Sequence, residues 1–198
     1  MRDDPACAGR KPCYLWDGTL VSAISPERQE HSSTDSPDEL RLQRILVPTD
    51  FSESAEHALK YAVRLGKPFK ATIFVLHVFH LREYLALLSE KEEVDSGTAN
   101  EVLEAAKSRA ANKLEELVCR SEDKEVAVLP ILLVGVPFEG IVRYAAERDV
   151  DLIVMPTRGR TGVAHLLLGR TAERVISHSV CPVLVVRARP PKNSITPR

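Results

Sequence analysis

"RILVPTDFSESAEHALKYAVRLGKPFKATIFVLHVF", residues 44–79, decides the fold. Its first five residues, Arg44 to Pro48, hold a short continuous apolar run, the mark of a strand buried on both faces. Then the period changes. Ala55, Ala58, Leu59, Ala62 and Leu65 recur at helical spacing. Ser52 is suited to cap that helix, and Gly66 to stop it. Residues 71–79, "ATIFVLHVF", are again apolar and rich in β-branched and aromatic side chains, as a second buried strand should be.

The alternation continues outward. A charged connection, residues 80–97, is long for a loop in a compact domain. Residues 98–120 form an amphipathic helix with Ala99, Leu103, Ala106, Ala110, Leu114 and Leu117 along one face. "EVAVLPILLV", residues 125–134, is a third strand. Its Pro130 cannot donate to a ladder, which marks an edge strand. Pro137 opens a helix over residues 137–149. "DLIVMP" (151–156) is a fourth strand, "TAERVISHS" (171–179) the last helix and "PVLVVR" (182–187) a fifth strand. Strands alternating with helices imply an α/β fold with a parallel sheet and helices on both faces.

The ends differ from this core. Residues 1–40 include a polar run of Ser, Pro and acids, which cannot bury enough surface to offset its ordering entropy. They are expected to be a flexible extension, although the segment around Trp16 is apolar enough to pack on this subunit or a partner. The domain is expected over residues 41–188 and a tail over 189–198, where prolines stop any strand.

Composition narrows the function classes. The net charge is −1, so nothing suggests a nucleic-acid coat or a polybasic membrane anchor. No apolar run is long enough to span a bilayer. The first 15 residues open with acids and lack the apolar centre of a secretory signal. Cys7, Cys13, Cys119 and Cys181 form no CxxC pair. Cys119 and Cys181 read as ordinary buried thiols; Cys7 and Cys13 lie in the irregular leader, with a redox role as the alternative. The expectation is a soluble protein of the reducing cytoplasm, without nucleic acid or membrane as partner.

In such folds ligands sit beyond the C-terminal ends of the strands, where strand order reverses. That rule singles out Pro48, Thr49 and Asp50 after the first strand, and "MPTRGRTGVAHLLLGRT", Met155 to Thr171, after the fourth. The Asp50 carboxylate either accepts hydrogen bonds from a ribose or an adenine amine, or caps the following helix. Met155, Pro156 and Thr157 end the fourth strand. Gly159 permits close backbone approach, and successive N–H groups in such a turn form an anion nest. Gly169 stands before a helix N-terminus, where free N–H groups and the dipole favour phosphate. Arg158, Arg160 and Arg170 add positive charge. The plain alternative is a loop with solvated arginines. No GxxxxGK[ST] loop occurs, and no GxGxxG follows the first strand.

Together these stretches resemble the universal stress protein family over roughly residues 43–188. "ILVPTDFSESAEHALKYAVRLG", the "LHV" of the second strand, "GVPFEGIVRYAAERDVDLIVM" and "GRTAERVISHSVCPVLVVR" stand in the family's order. The resemblance implies a five-stranded sheet in order 3-2-1-4-5, Rossmann-like and of the adenine nucleotide alpha hydrolase type. It also implies a homodimer through the last strand, Pro182 to Arg187. ATP-binding members carry Gly, two residues, Gly, nine residues, Gly, then Ser or Thr. Here Gly159 and Gly169 match the second and third glycines. Pro156 replaces the first, and Arg170 replaces the hydroxyl residue, with Thr171 one place on. By the same resemblance Asp50 contacts ribose or adenine, and the Val78 backbone reads the adenine edge.

Three functions follow as alternatives. One is a stress-response regulatory module binding ATP, ADP or AMP, with Mg²⁺ on the phosphates and with affinity altered at Pro156 and Arg170. Another is a nucleotide-free dimeric interaction protein. The third is a slow ATPase, for which no Ser–His–Asp or Cys–His pairing offers support. His77, in a buried strand, and His57, on a helix, read as structural or solvated.

Overall fold

The alternating strands and helices pack as a layered α/β sheet in a computed structural model that describes residues 14–15, 42–80, 96–121, 123, 125–157 and 168–187. The strands are β1 (Tyr14–Leu15), β2 (Arg44–Pro48), β3 (Thr72–Phe79), β4 (Ala127–Val134), β5 (Leu152–Pro156) and β6 (Val183–Val186). The helices are α1 (Glu53–Gly66), α2 (Ser96–Arg120), α3 (Pro137–Glu147) and α4 (Arg170–His178), with a short 3-10 turn over Lys67–Phe69. All strand pairs are parallel, in the order β1-β4-β3-β2-β5-β6. The five strands from β2 onward take the expected order 3-2-1-4-5. The two-residue β1 is an addition from the leader, pairing Tyr14 with Ile131 and Leu15 with Leu132. It lies against the outer side of β4, the strand Pro130 marked as an edge. Gly135 donates to Phe79 of β3, so alternate N–H groups of β4 face inward and the N–H that Pro130 lacks would face outward.

The pleat sorts the core into two layers. Ile45, Val47, Ile73, Val75, Val128 and Val154 face α1 and α2, meeting Ala58, Leu59, Leu114 and Leu117. Leu46, Phe74, Leu76, Ile131, Ile153 and Met155 face α3 and α4, meeting Ile141, Tyr144, Ala172 and Val175. Strands buried on both faces are why these runs are continuously apolar rather than alternating.

Helix ends follow local chemistry. Ser52 caps α1 as expected, its hydroxyl accepting from the Ala55 N–H. Gly66 does not act as the expected stop. It keeps a right-handed helical conformation (φ −73°), and the left-handed residue is Lys70, after the turn. Gly66 is small because space demands it: a Cβ there would come within 3.2 Å of both Ala71 Cβ and Ile73 Cδ1.

Cys119 also departs from expectation. It is half-buried and disulfide-bonded, its partner lying outside the described residues, whereas Cys181 is a free thiol. Burial pushes the Cys181 thiol above its ordinary pKa. Among the described residues no helix is long and apolar enough to cross a membrane.

Candidate nucleotide crevice between β2 and β5

Strands β2 and β5 are fastened at one end and part at the other. At their N-terminal ends, Asp151 Oδ2 accepts from the N–H groups of Gln43 (2.7 Å) and Arg44 (2.8 Å). The Asp151 N–H donates back to the Arg44 carbonyl. The ladder between them has two register pairs, Ile45 with Leu152 and Leu46 with Ile153, and ends there. β2 turns its remaining length to β3, pairing up to Pro48 with Leu76; β5 turns to β6, pairing up to Pro156 with Val186. This is the reversal point at which α/β sheets open a crevice.

The β2 flank ends in Pro48, Thr49 and Asp50. Pro48 and Thr49 are buried, and Thr49 is the one buried polar residue among those described. The Thr49 N–H extends the ladder to the Leu76 carbonyl, and the Thr49 hydroxyl accepts from the Phe51 N–H. Half-buried Asp50 does not cap α1 itself. Its Oδ1 accepts from the Ser52 N–H (3.1 Å) and Ser52 hydroxyl (2.6 Å), bracing the residue that does. Phe51 sits in the left-handed region at φ +63°, a costly place for a bulky side chain.

β3 runs past the end of β2. In a parallel ladder a residue's N–H and C=O point to the same neighbour, and the neighbour alternates along the strand. Leu76 O accepts from Thr49 on the β2 side, and Phe79 O accepts from Gly135 on the β4 side. The main-chain groups of Val78 therefore face the β2 side, beyond its last paired residue. His80 follows, its Nδ1 buried without a hydrogen-bond partner.

The β5 flank ends in Met155, Pro156 and Thr157, the first two buried. Ile153 and Thr157 donate to β6, through Pro182 O and Val186 O. Position 156 thus faces β2, where the ladder has already stopped. Proline costs the sheet no hydrogen bond there, but it removes an N–H from the crevice side. The Gly169 N–H donates to Thr157 O at 2.8 Å, tying the start of α4 to the end of β5. Gly169 is the N-cap of α4 and supplies no side-chain cap. Arg170 and Thr171 open the helix as exposed residues. Arg158, Gly159 and Arg160 lie outside the described residues. Among the described residues no group of three or more His, Cys, Asp or Glu gathers as a metal site.

Two contributors were missed by sequence reasoning. Asp151 closes the far end of the β2–β5 pair. His77, read as structural, lies beside the Asp50 turn: its Nδ1 is 2.8 Å from the Thr49 carbonyl oxygen.

Comparison with known proteins agrees with this architecture. The model of the universal stress protein family matches residues 41–187, most of the chain. The chain belongs to the universal stress protein family. Universal stress protein MJ0577 of Methanocaldococcus jannaschii is 38% identical over 160 residues, covering 74% of this chain and 96% of that protein. Universal stress protein MJ0531 of the same organism is 35% identical over 145 residues, covering 73% and 82%. The solved structure of MJ0577 superimposes with a TM-score of 0.66, over 77% of this chain and all of that one, at 35% identity. Universal stress protein UspA from Lactobacillus plantarum shares the fold at 23% identity, with a TM-score of 0.62 over 75% of this chain and all of that one.

Proposed function

We propose that this universal stress protein binds an adenine nucleotide, with ATP as first choice, where β2 and β5 part, and that it acts as a regulatory module. The observation carrying this reading is the convergence of three kinds of group on one end of the sheet. Asp50 offers a carboxylate suited to ribose hydroxyls or the adenine amine. The Val78 main chain offers a donor and an acceptor, matching the mixed edge of adenine. The first turn of α4, begun by a glycine, offers amides and a positive dipole end to phosphate. Buried, orphaned His80 Nδ1 at the same end fits a site built to take a polar ligand.

The departures at Pro156 and Arg170 tune the affinity. Losing one hydrogen bond to a charged phosphate costs about 1.5–3 kcal/mol, roughly ten-fold or more in affinity. Arg170 is exposed at the first position of α4, which favours pairing with phosphate over filling the pocket. Mg²⁺ would ride on the phosphates. A nucleotide-free interaction protein is the second reading, favoured by the N–H missing at Pro156.

Calorimetric titration with ATP, ADP and AMP separates the two. We expect saturable heat for at least one nucleotide, weakened about ten-fold or more by Asp50→Ala. No heat at millimolar nucleotide, or an unchanged affinity in the variant, contradicts the proposal.

A further inference from the structure

Along β3 the side chains facing α1 and α2 run Ile73, Val75, His77, Phe79. A histidine interrupts an apolar series where another aliphatic group would pack. Its ring meets the turn that carries Asp50 at two points. Nδ1 lies 2.8 Å from the Thr49 carbonyl oxygen, and a carbonyl only accepts, so Nδ1 carries the proton. The ring also packs against Phe51, with centroids 4.3 Å apart at 41°. Lys113 of α2 covers the Phe51 ring, its Nζ 4.9 Å from the centroid.

Phe51 is the left-handed residue of the turn, and such a conformation persists only where its surroundings over-determine it. Thr49 is held through its N–H by Leu76, and through its carbonyl by His77. Asp50 stands between Thr49 and Phe51, both of which His77 meets. We propose that His77, as its Nδ1–H tautomer, is the positioning residue that clamps the Thr49–Phe51 turn and so presents Asp50 to the nucleotide. The consequence for affinity rests on the nucleotide-binding reading; the clamp itself does not.

The test compares wild type, His77→Leu and His77→Asn. Leucine keeps apolar bulk and removes the donor. Asparagine places an amide N–H near the position of Nδ1. Long-range nitrogen–proton NMR of the wild type should show His77 protonated at Nδ1; protonation at Nε2 alone overturns the proposal. Hydrogen exchange at the Thr49, Phe51 and Ser52 amides should quicken about ten-fold or more in His77→Leu, with Ile45 and Val154 unchanged, and return towards wild type in His77→Asn. Unchanged exchange at the turn, or a uniform rise across the sheet, overturns it. ATP affinity by calorimetry should fall about ten-fold in His77→Leu and recover to within about three-fold in His77→Asn. Equal ATP binding by wild type and His77→Leu overturns it. If the wild type binds no nucleotide, the binding reading fails, and the tautomer and exchange measurements still decide the clamp.

Discussion

Pro156 ends β5 and Asp50 follows β2 where the two strands part, and in the proposed nucleotide site they would act on affinity in opposite directions. One supplies a charged acceptor; the other withholds an amide. Replacing Pro156 by glycine restores an N–H on the crevice side without touching the β6 ladder, because Ile153 and Thr157 carry those bonds. Pro156→Gly is therefore expected to tighten ATP binding about ten-fold, measured by calorimetry. Unchanged or weaker binding would show that no hydrogen bond is lost there. The place of both residues where the strands part was legible in the sequence, because alternation fixes the strand ends and the reversal-point rule points to them. His77 was less legible. Its signal was a polar ring in a period-two apolar series, but the Thr49 carbonyl it meets is 28 residues away in the chain.

At the scale of elements, α1 begins on a double brace. Ser52 caps the helix, and Asp50 holds Ser52. Ser52→Ala should lower stability by about 1 kcal/mol in urea denaturation. It should also remove the hydroxyl bond to Asp50 Oδ1 while leaving the backbone one, so ATP affinity should change with it; an unaltered midpoint would show that the cap contributes nothing. Helix α3 carries a different load. Tyr144 is buried against the edge of Phe74, and burial holds its phenol above the ordinary value of 10.0. The unfolded chain then ionises first, so the folded state retains the proton the unfolded state has lost. Stability should fall as pH rises beyond about 10, by up to about 1.4 kcal/mol per unit. Tyr144→Phe should flatten that alkaline limb in denaturation at pH 9–11, and an equally steep limb in the variant would assign it elsewhere. Helix and strand periods were plain in the sequence. The reason for Gly66 was not, since the Ala71 and Ile73 atoms that crowd it are set by tertiary packing.

At the scale of the molecule, the two edges of the sheet are treated differently. β4 is met by the two-residue β1, an element with no period to announce it in the sequence. β6 ends the order with Val183, Leu184 and Val185 half-buried, and Ile176 and Val180 are exposed at 43% and 69%. An apolar edge of this kind invites a partner strand. We expect a homodimer through β6, with light scattering giving twice the chain mass of 22.0 kDa; a monomer at micromolar concentration would contradict it. The order of the five-stranded sheet followed from alternation and resemblance together. The Cys119 disulfide did not, because connectivity among separated cysteines is not written in their spacing. The most direct test of the nucleotide site is a crystal structure of the protein grown with millimolar ATP. Density should place adenine at the Val78 main chain, ribose at Asp50 and phosphates at the first turn of α4. ATP bound elsewhere, or density without nucleotide between β2 and β5, would contradict the proposed site.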